Sequence, residues 1–62
     1  MDGWKRFEGK RIYVVLKSNR KYSGVVLEIE EQGENCFIII KDKFGFIVSF
    51  NSNEIDVMEE ER

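Results

Sequence analysis

Residues 36–40 read Cys-Phe-Ile-Ile-Ile, and this unbroken apolar run restricts the fold more than any other stretch of the chain. It is short, rich in β-branched side chains, and bounded by two loop-like segments, "EEQGEN" before it and "DKFG" after it. Those features predict a strand over residues 36–42. Successive strand residues point to opposite faces, so Cys36, Ile38 and Ile40 fill one face and Phe37 and Ile39 the other. A strand wetted on one side alternates apolar with polar residues; one that is apolar on both sides needs cover on both.

The chain has only 62 residues with which to supply that cover. This is one domain, and a domain of that size buries only about 60% of the surface its unfolded chain exposes. Such domains lean on disulfides, a metal or a partner chain. The single Cys36 forms no intrachain disulfide, and the absence of His excludes a Cys/His zinc site. Self-association is the remaining source of burial. The lone cysteine also fits a reducing, cytoplasmic setting. No apolar run approaches the roughly 20 residues of a membrane span, and no secretory signal is expected.

Four further strands are predicted around the apolar run. Residues 11–17 alternate, with Ile12, Val14 and Leu16 on one face and Tyr13 and Val15 on the other. Ser18, Asn19 and Arg20 carry turn chemistry. Residues 21–30 form the second strand, whose inward set runs Tyr22, Gly24, Val26 and then slips to Ile29. A phase change of that kind predicts a bulge or sharp bend, and Gly24 lets the strand pass close to another backbone. Gly45 closes a tight turn after the third strand. Residues 46–50 then place Phe46, Val48 and Phe50 against Ile47 and Ser49, and residues 55–58 form a last short strand. Before all of these, Trp4 and Phe7 sit at helical spacing in residues 1–8, with Asp2 as N-cap. Five short, coiled strands close most naturally into a small barrel over residues 10–58, leaving 59–62 as an acidic tail.

The formal charge of −2 hides an asymmetry. Residues 1–24 carry seven basic groups against two acids, and residues 25–62 carry three against ten. Either these are solvated strand edges and a solubilising tail, or the first half presents a basic patch to a polyanion.

The first half also resembles the Sm-like (Lsm) family. Gly9, Ile12, Val14, Leu16, Lys17, Arg20, Tyr22, Gly24, Val26, Ile29 and Glu30 fill the places of that family's first signature in order and without a gap. The helix with Trp4 and Phe7 sits where the family's helix sits. The second half departs from the pattern. Glu30 stands for the usual Asp, and the loop after it is about one residue longer if Asn35 takes the family's Asn role. "FNSNEI" overlies the second signature, with Phe50 and Ile55 as its apolar ends, but Asn51 and Ser52 occupy the places of Arg and Gly. An arginine stacks on a base and pairs with phosphate, whereas Asn51 only hydrogen-bonds.

The resemblance implies an all-β, five-stranded, strongly bent SH3-like/Sm-like barrel with a short N-terminal helix. It implies neighbours joined edge to edge in a homo-oligomeric ring, the fourth strand of one subunit beside the fifth of the next. It also implies single-stranded, often uridine-rich RNA as partner, bound in a chaperone or scaffold role. Asn35 and Asn51, with Ser52, become the base-reading residues, though turn asparagines are an equal alternative. Lys17, Arg20 and Lys21 offer phosphate contacts on the first hairpin. Glu30, Glu31 and Glu34 crowd the same loop and repel a backbone of phosphates.

Other functions fit less well. Without His, and with Cys36 in a core strand, nucleophile–base arrangements are nearly absent, so no enzyme, cofactor or metal is expected. Net acidity opposes coating of duplex DNA, which depends on many positive groups. An SH3-like oligomer that binds protein without RNA remains the alternative, motivated by the lost Arg-Gly pair and the acidic loop.

Overall fold

The computed structural model describes residues 3–61. Five strands, β1 (Arg11–Leu16), β2 (Lys21–Gln32), β3 (Asn35–Asp42), β4 (Ile47–Asn51) and β5 (Ile55–Glu60), are joined by short turns. All pairings are antiparallel, in one sheet of order β4-β3-β2-β1-β5. The chain is therefore all-β, as its alternation predicts.

Bending the sheet over itself covers one of the two apolar faces of β3, that of Cys36, Ile38 and Ile40. Phe50 lies opposite Ile38, and Ile38 opposite Ile29. Tyr22 is seven residues from Ile29 along β2, so in a flat sheet Tyr22 and Phe50 would stand about 25 Å apart. Their ring centroids are 5.0 Å apart. Chain connectivity demands the same curvature. A three-residue 3-10 turn, Ser52–Glu54, carries the chain from one edge strand to the other. In a flat sheet those edges would be about 19 Å apart, whereas a 3-10 turn advances only about 2 Å per residue.

The bend sits where the inward pattern slips. Val26 pairs with Ile40 and Glu28 with Ile39, which leaves Leu27 as the extra residue of a bulge and returns Ile29 to the inside. Gly24 allows the fold-over, because a Cβ there would fall on the carbonyl of Lys41 in β3. Residues from every strand then share one core: Ile12, Val14 and Leu16 of β1, Val26 and Ile29 of β2, Cys36, Ile38 and Ile40 of β3, Phe50 of β4 and Ile55 of β5. Trp4, Phe7, Tyr22, Val48 and Met58 pack against it half-buried. The second face of β3 is covered less completely, and Phe37 and Ile39 remain half-buried.

The amino-terminal segment pins the bend. Gly9 N–H donates to the Val26 carbonyl and Val26 N–H to the Lys10 carbonyl, each at 2.9 Å. Past the bulge, Ile29 N–H donates to Oε2 of Glu8 at 2.9 Å. Removing that acceptor strands a part-buried donor, which costs about 1–3 kcal/mol. Glu8→Ala is therefore expected to lower the melting temperature, by about 4–8 °C per kcal/mol in a domain of this size. Glu8→Gln keeps an acceptor oxygen and should recover most of the loss in the same circular-dichroism melt.

Several boundaries differ from the sequence expectation. The amino-terminal helix is a single 3-10 turn, Trp4–Phe7, ended at Gly9 with φ 80°. Asp2, the expected cap, lies outside the described residues. β2 runs on to Gln32 and β3 starts at Asn35, so the expected six-residue loop shrinks to a turn at Gly33 (φ 61°) and Glu34. β5 extends through Glu59 and Glu60, which ladder with Tyr13 and Ile12 rather than trailing in a tail. Phe46, which alternation places on one face with Val48 and Phe50, is 68% exposed. Oδ1 of Asp42 accepts both the Phe44 and Phe46 N–H groups at 2.9 Å and holds Phe46 in the turn, so β4 begins only at Ile47. The sheet also stops short of the expected closed barrel. Among the described residues no ladder joins β4 to β5, and each keeps an unpaired edge.

Candidate nucleic-acid interface

Asn35 and Asn51 are sixteen residues apart in sequence and in contact in the fold. Asn51 ends β4 opposite Phe37, and Asn35 lies two residues from Phe37 on the same side of β3. Nδ2 of Asn51 donates to Oδ1 of Asn35 at 3.2 Å. Asn51 is also the cap of the Ser52–Glu54 turn. Its Oδ1 accepts the Asn53 N–H at 3.2 Å, and its own N–H donates to Oε1 of Glu54 at 2.9 Å. The reciprocal pair satisfies two backbone donors that the turn would otherwise leave open. The two asparagines thus divide the work: Asn51 is fixed by the turn, and it fixes Asn35.

Asn35 is exposed, and among the described residues its Nδ2 makes no hydrogen bond. Both N–H groups of Nδ2 and one lone pair of Oδ1 remain, donors and an acceptor of the kind that the edge of a splayed base complements. Ser52 follows Asn51 in the turn, half-buried, and its carbonyl accepts the Ile55 N–H. It adds backbone geometry to the site.

The three expected phosphate contacts do not form one patch. Lys17 N–H donates to the Glu54 carbonyl at 2.8 Å, so Lys17 flanks the Asn51 turn, where Leu16, Ser18 and Asn53 complete a shallow crevice. Arg20 sits in the first hairpin, its carbonyl accepting the Leu16 N–H at 2.8 Å, beside Asn19 at φ 72°. Lys21 begins β2 and faces a different groove, shared with Lys43 and Phe44. Sequence reasoning passed over Lys43 and Phe44. The signal was present in "KDKFGF", where two lysines interleave with two aromatics.

Charge around the asparagines is mixed. Glu34 lies in the β2–β3 turn, while Glu30 and Glu31 belong to β2, opposite Phe37 and Cys36. Burial and then the carboxylate of Glu31 push the Cys36 thiol above its ordinary pKa, with Lys5 partly opposing. Cys36 is accordingly a neutral core residue at pH 7. Part of the charge asymmetry is neutralised within the fold, since Lys10 Nζ lies 3.8 Å from Glu60 Oε2 across the β1–β5 edge. Trp4 stands 6.4 Å from Phe7 and packs half-buried against the core. Among the described residues there is no cluster of three His, Cys, Asp or Glu able to hold a metal, and no helix long and apolar enough to cross a membrane.

Compared with known proteins, the chain matches no family model, no curated protein and no solved structure.

Proposed function

We propose that the chain is an Sm-like subunit that assembles edge to edge into a homo-oligomeric ring and binds single-stranded, uridine-rich RNA as a chaperone or scaffold. The observation that carries this reading is the Asn35–Asn51 contact. Two residues singled out by their places in two separate signatures meet at one exposed point. The order of the strands supports the ring. β4 and β5 are opposite edges of the sheet, both are unpaired, and they carry exposed Ile47 and Val57. Pairing the β4 edge of one barrel-like subunit with the β5 edge of the next removes both edges and covers those side chains. The role is binding rather than catalysis, and the setting is cytoplasmic.

Fluorescence anisotropy with a labelled oligouridine tests the RNA half. Asn35→Ala removes one or two hydrogen bonds at about 1 kcal/mol each, so binding should weaken by about tenfold. Asn35 is exposed, so the melting temperature should not change. Affinity should also fall with added salt, as phosphate contacts require.

The acidic rim of Glu30, Glu31 and Glu34 favours a second reading, an oligomeric scaffold that binds a protein partner. An assembled protein that ignores RNA at low salt yet captures the same partner after nuclease treatment would establish that reading instead.

A further inference from the structure

We infer that a second contact for single-stranded nucleic acid lies at the far end of β3, in the groove shared by Lys21, Lys43 and Phe44. The inference rests on the RNA-binding reading above and shares only Lys21 with the residues expected to serve it.

The groove opens between the β1–β2 hairpin and the β3–β4 turn, with Tyr13, Tyr22, Ser23 and Asp42 completing its walls. Its most unusual member is Phe44, 73% exposed. The turn that carries Phe44 is braced from four directions. Asp42 Oδ1 accepts the Phe44 and Phe46 N–H groups at 2.9 Å, the Asp42 N–H donates to the Phe46 carbonyl at 2.9 Å, and Gly45 N–H donates to the Asp42 carbonyl at 3.0 Å. Gly45 takes φ 89°, a conformation that suits glycine. A large apolar ring is thus exposed on a turn tied by four hydrogen bonds, and it lies outside the core cluster.

The charges beside the ring point to the ligand. Lys43 Nζ lies 5.3 Å from the Phe44 ring centroid, and Lys21 lines the same groove. Asp42, the carboxylate among the lining residues, keeps its charge while accepting two backbone donors, and the two ammonium groups of Lys21 and Lys43 leave the lining net positive. Aromatic faces with adjacent cations match a polymer of stacked bases and phosphates. A proline-rich peptide would use the aromatic walls but would leave both ammonium groups without a partner. The groove shares no lining residue with the asparagine pair: Asn35 begins β3 and Asp42 ends it, so the two contacts differ in their residues.

The test is anisotropy of labelled oligouridine and oligoadenosine decamers on the full-length protein. Phe44→Ala, Phe44→Tyr, the double variant Lys21→Gln/Lys43→Gln and Asn35→Ala are run in parallel. Loss of one stacked base should weaken Phe44→Ala by about five- to a hundredfold, with Phe44→Tyr close to the unsubstituted protein. Losing two phosphate contacts should reduce the slope of log affinity against log salt by about 0.7 each for a single strand. Unchanged circular-dichroism melts would confirm that the fold is intact. If Phe44→Ala binds normally while Asn35→Ala does not, the groove is refuted and the RNA reading stands. If the reverse holds, the groove stands and the asparagine site falls. A labelled proline-rich peptide that binds in a Phe44-dependent way, with no oligonucleotide competing, would overturn the inference. So would an unsubstituted protein that binds neither decamer at low salt, which would overturn the RNA reading with it.

Discussion

A Gly24→Ala protein is expected to lose about 3 kcal/mol of folding free energy, the upper end of what overpacking costs. The new methyl group would fall on the carbonyl oxygen of Lys41, and it would lie 2.9 Å from the carbonyl carbon of Lys41 and 3.0 Å from Cα of Asp42. These are backbone atoms of the ladder partner, and no rotamer change moves them aside. Relief requires β2 and β3 to separate where the sheet folds over, which breaks the Gly24–Asp42 and Val25–Lys41 pairings. Thermal melts at matched concentration should show a fall of about 4–8 °C for each kcal/mol. Gly33 provides the control. A Cβ there meets nothing within 4 Å, and only its φ of 61° opposes substitution, so Gly33→Ala should cost about 1–2 kcal/mol. If Gly24→Ala melts with the unsubstituted protein, the close approach of β2 to β3 is wrong.

The second large effect is Ile38→Ala. Ile38 is 0% exposed, lies between Ile29 and Phe50 in the ladders, and belongs to the shared core. Truncation to alanine leaves a cavity in the middle of the bent sheet, for which about 2–5 kcal/mol is expected. A small domain has little reserve, since total stabilities run from about 5 to 15 kcal/mol. The urea midpoint should therefore drop sharply with little change in slope. Ile47 is 59% exposed on β4, so Ile47→Ala should fall within about 0.5 kcal/mol in the isolated subunit. The contrast separates the residues that hold the subunit from those placed on its open edge. Equal losses in the two variants would contradict the placement of the core.

The bend was the most legible part of the fold. The inward set Tyr22, Gly24, Val26, Ile29 breaks period two at one place, and the bulge at Leu27 lies there. The alternation of Ile12, Val14 and Leu16 likewise marks three buried side chains. What stayed hidden was decided by hydrogen bonds that periodicity does not report. The Asp42 carboxylate gathers two N–H groups and turns Phe46 outward against its apolar character. Glu59 and Glu60 belong to β5 because β1 offers them a ladder, although their composition reads as a tail. Asn35 looks like a loop residue beside Gly33 and Glu34, but a tight turn leaves it in the strand. Both asparagines were singled out by signature position; their contact depends on the register of Phe37 with Asn51, which spacing does not encode. Lys17 and Lys21 stand at opposite ends of the first turn, one beside Glu54 and the other beside Phe44, a separation that sequence spacing does not encode.

Native mass spectrometry of the purified protein, with and without a short uridine-rich RNA, tests the assembly and its ligand together. The expected spectrum is a single closed homo-oligomer that gains the mass of one RNA when the oligonucleotide is added. A monomer would contradict the assembly, and with it the account of the open β4 and β5 edges and their exposed Ile47 and Val57.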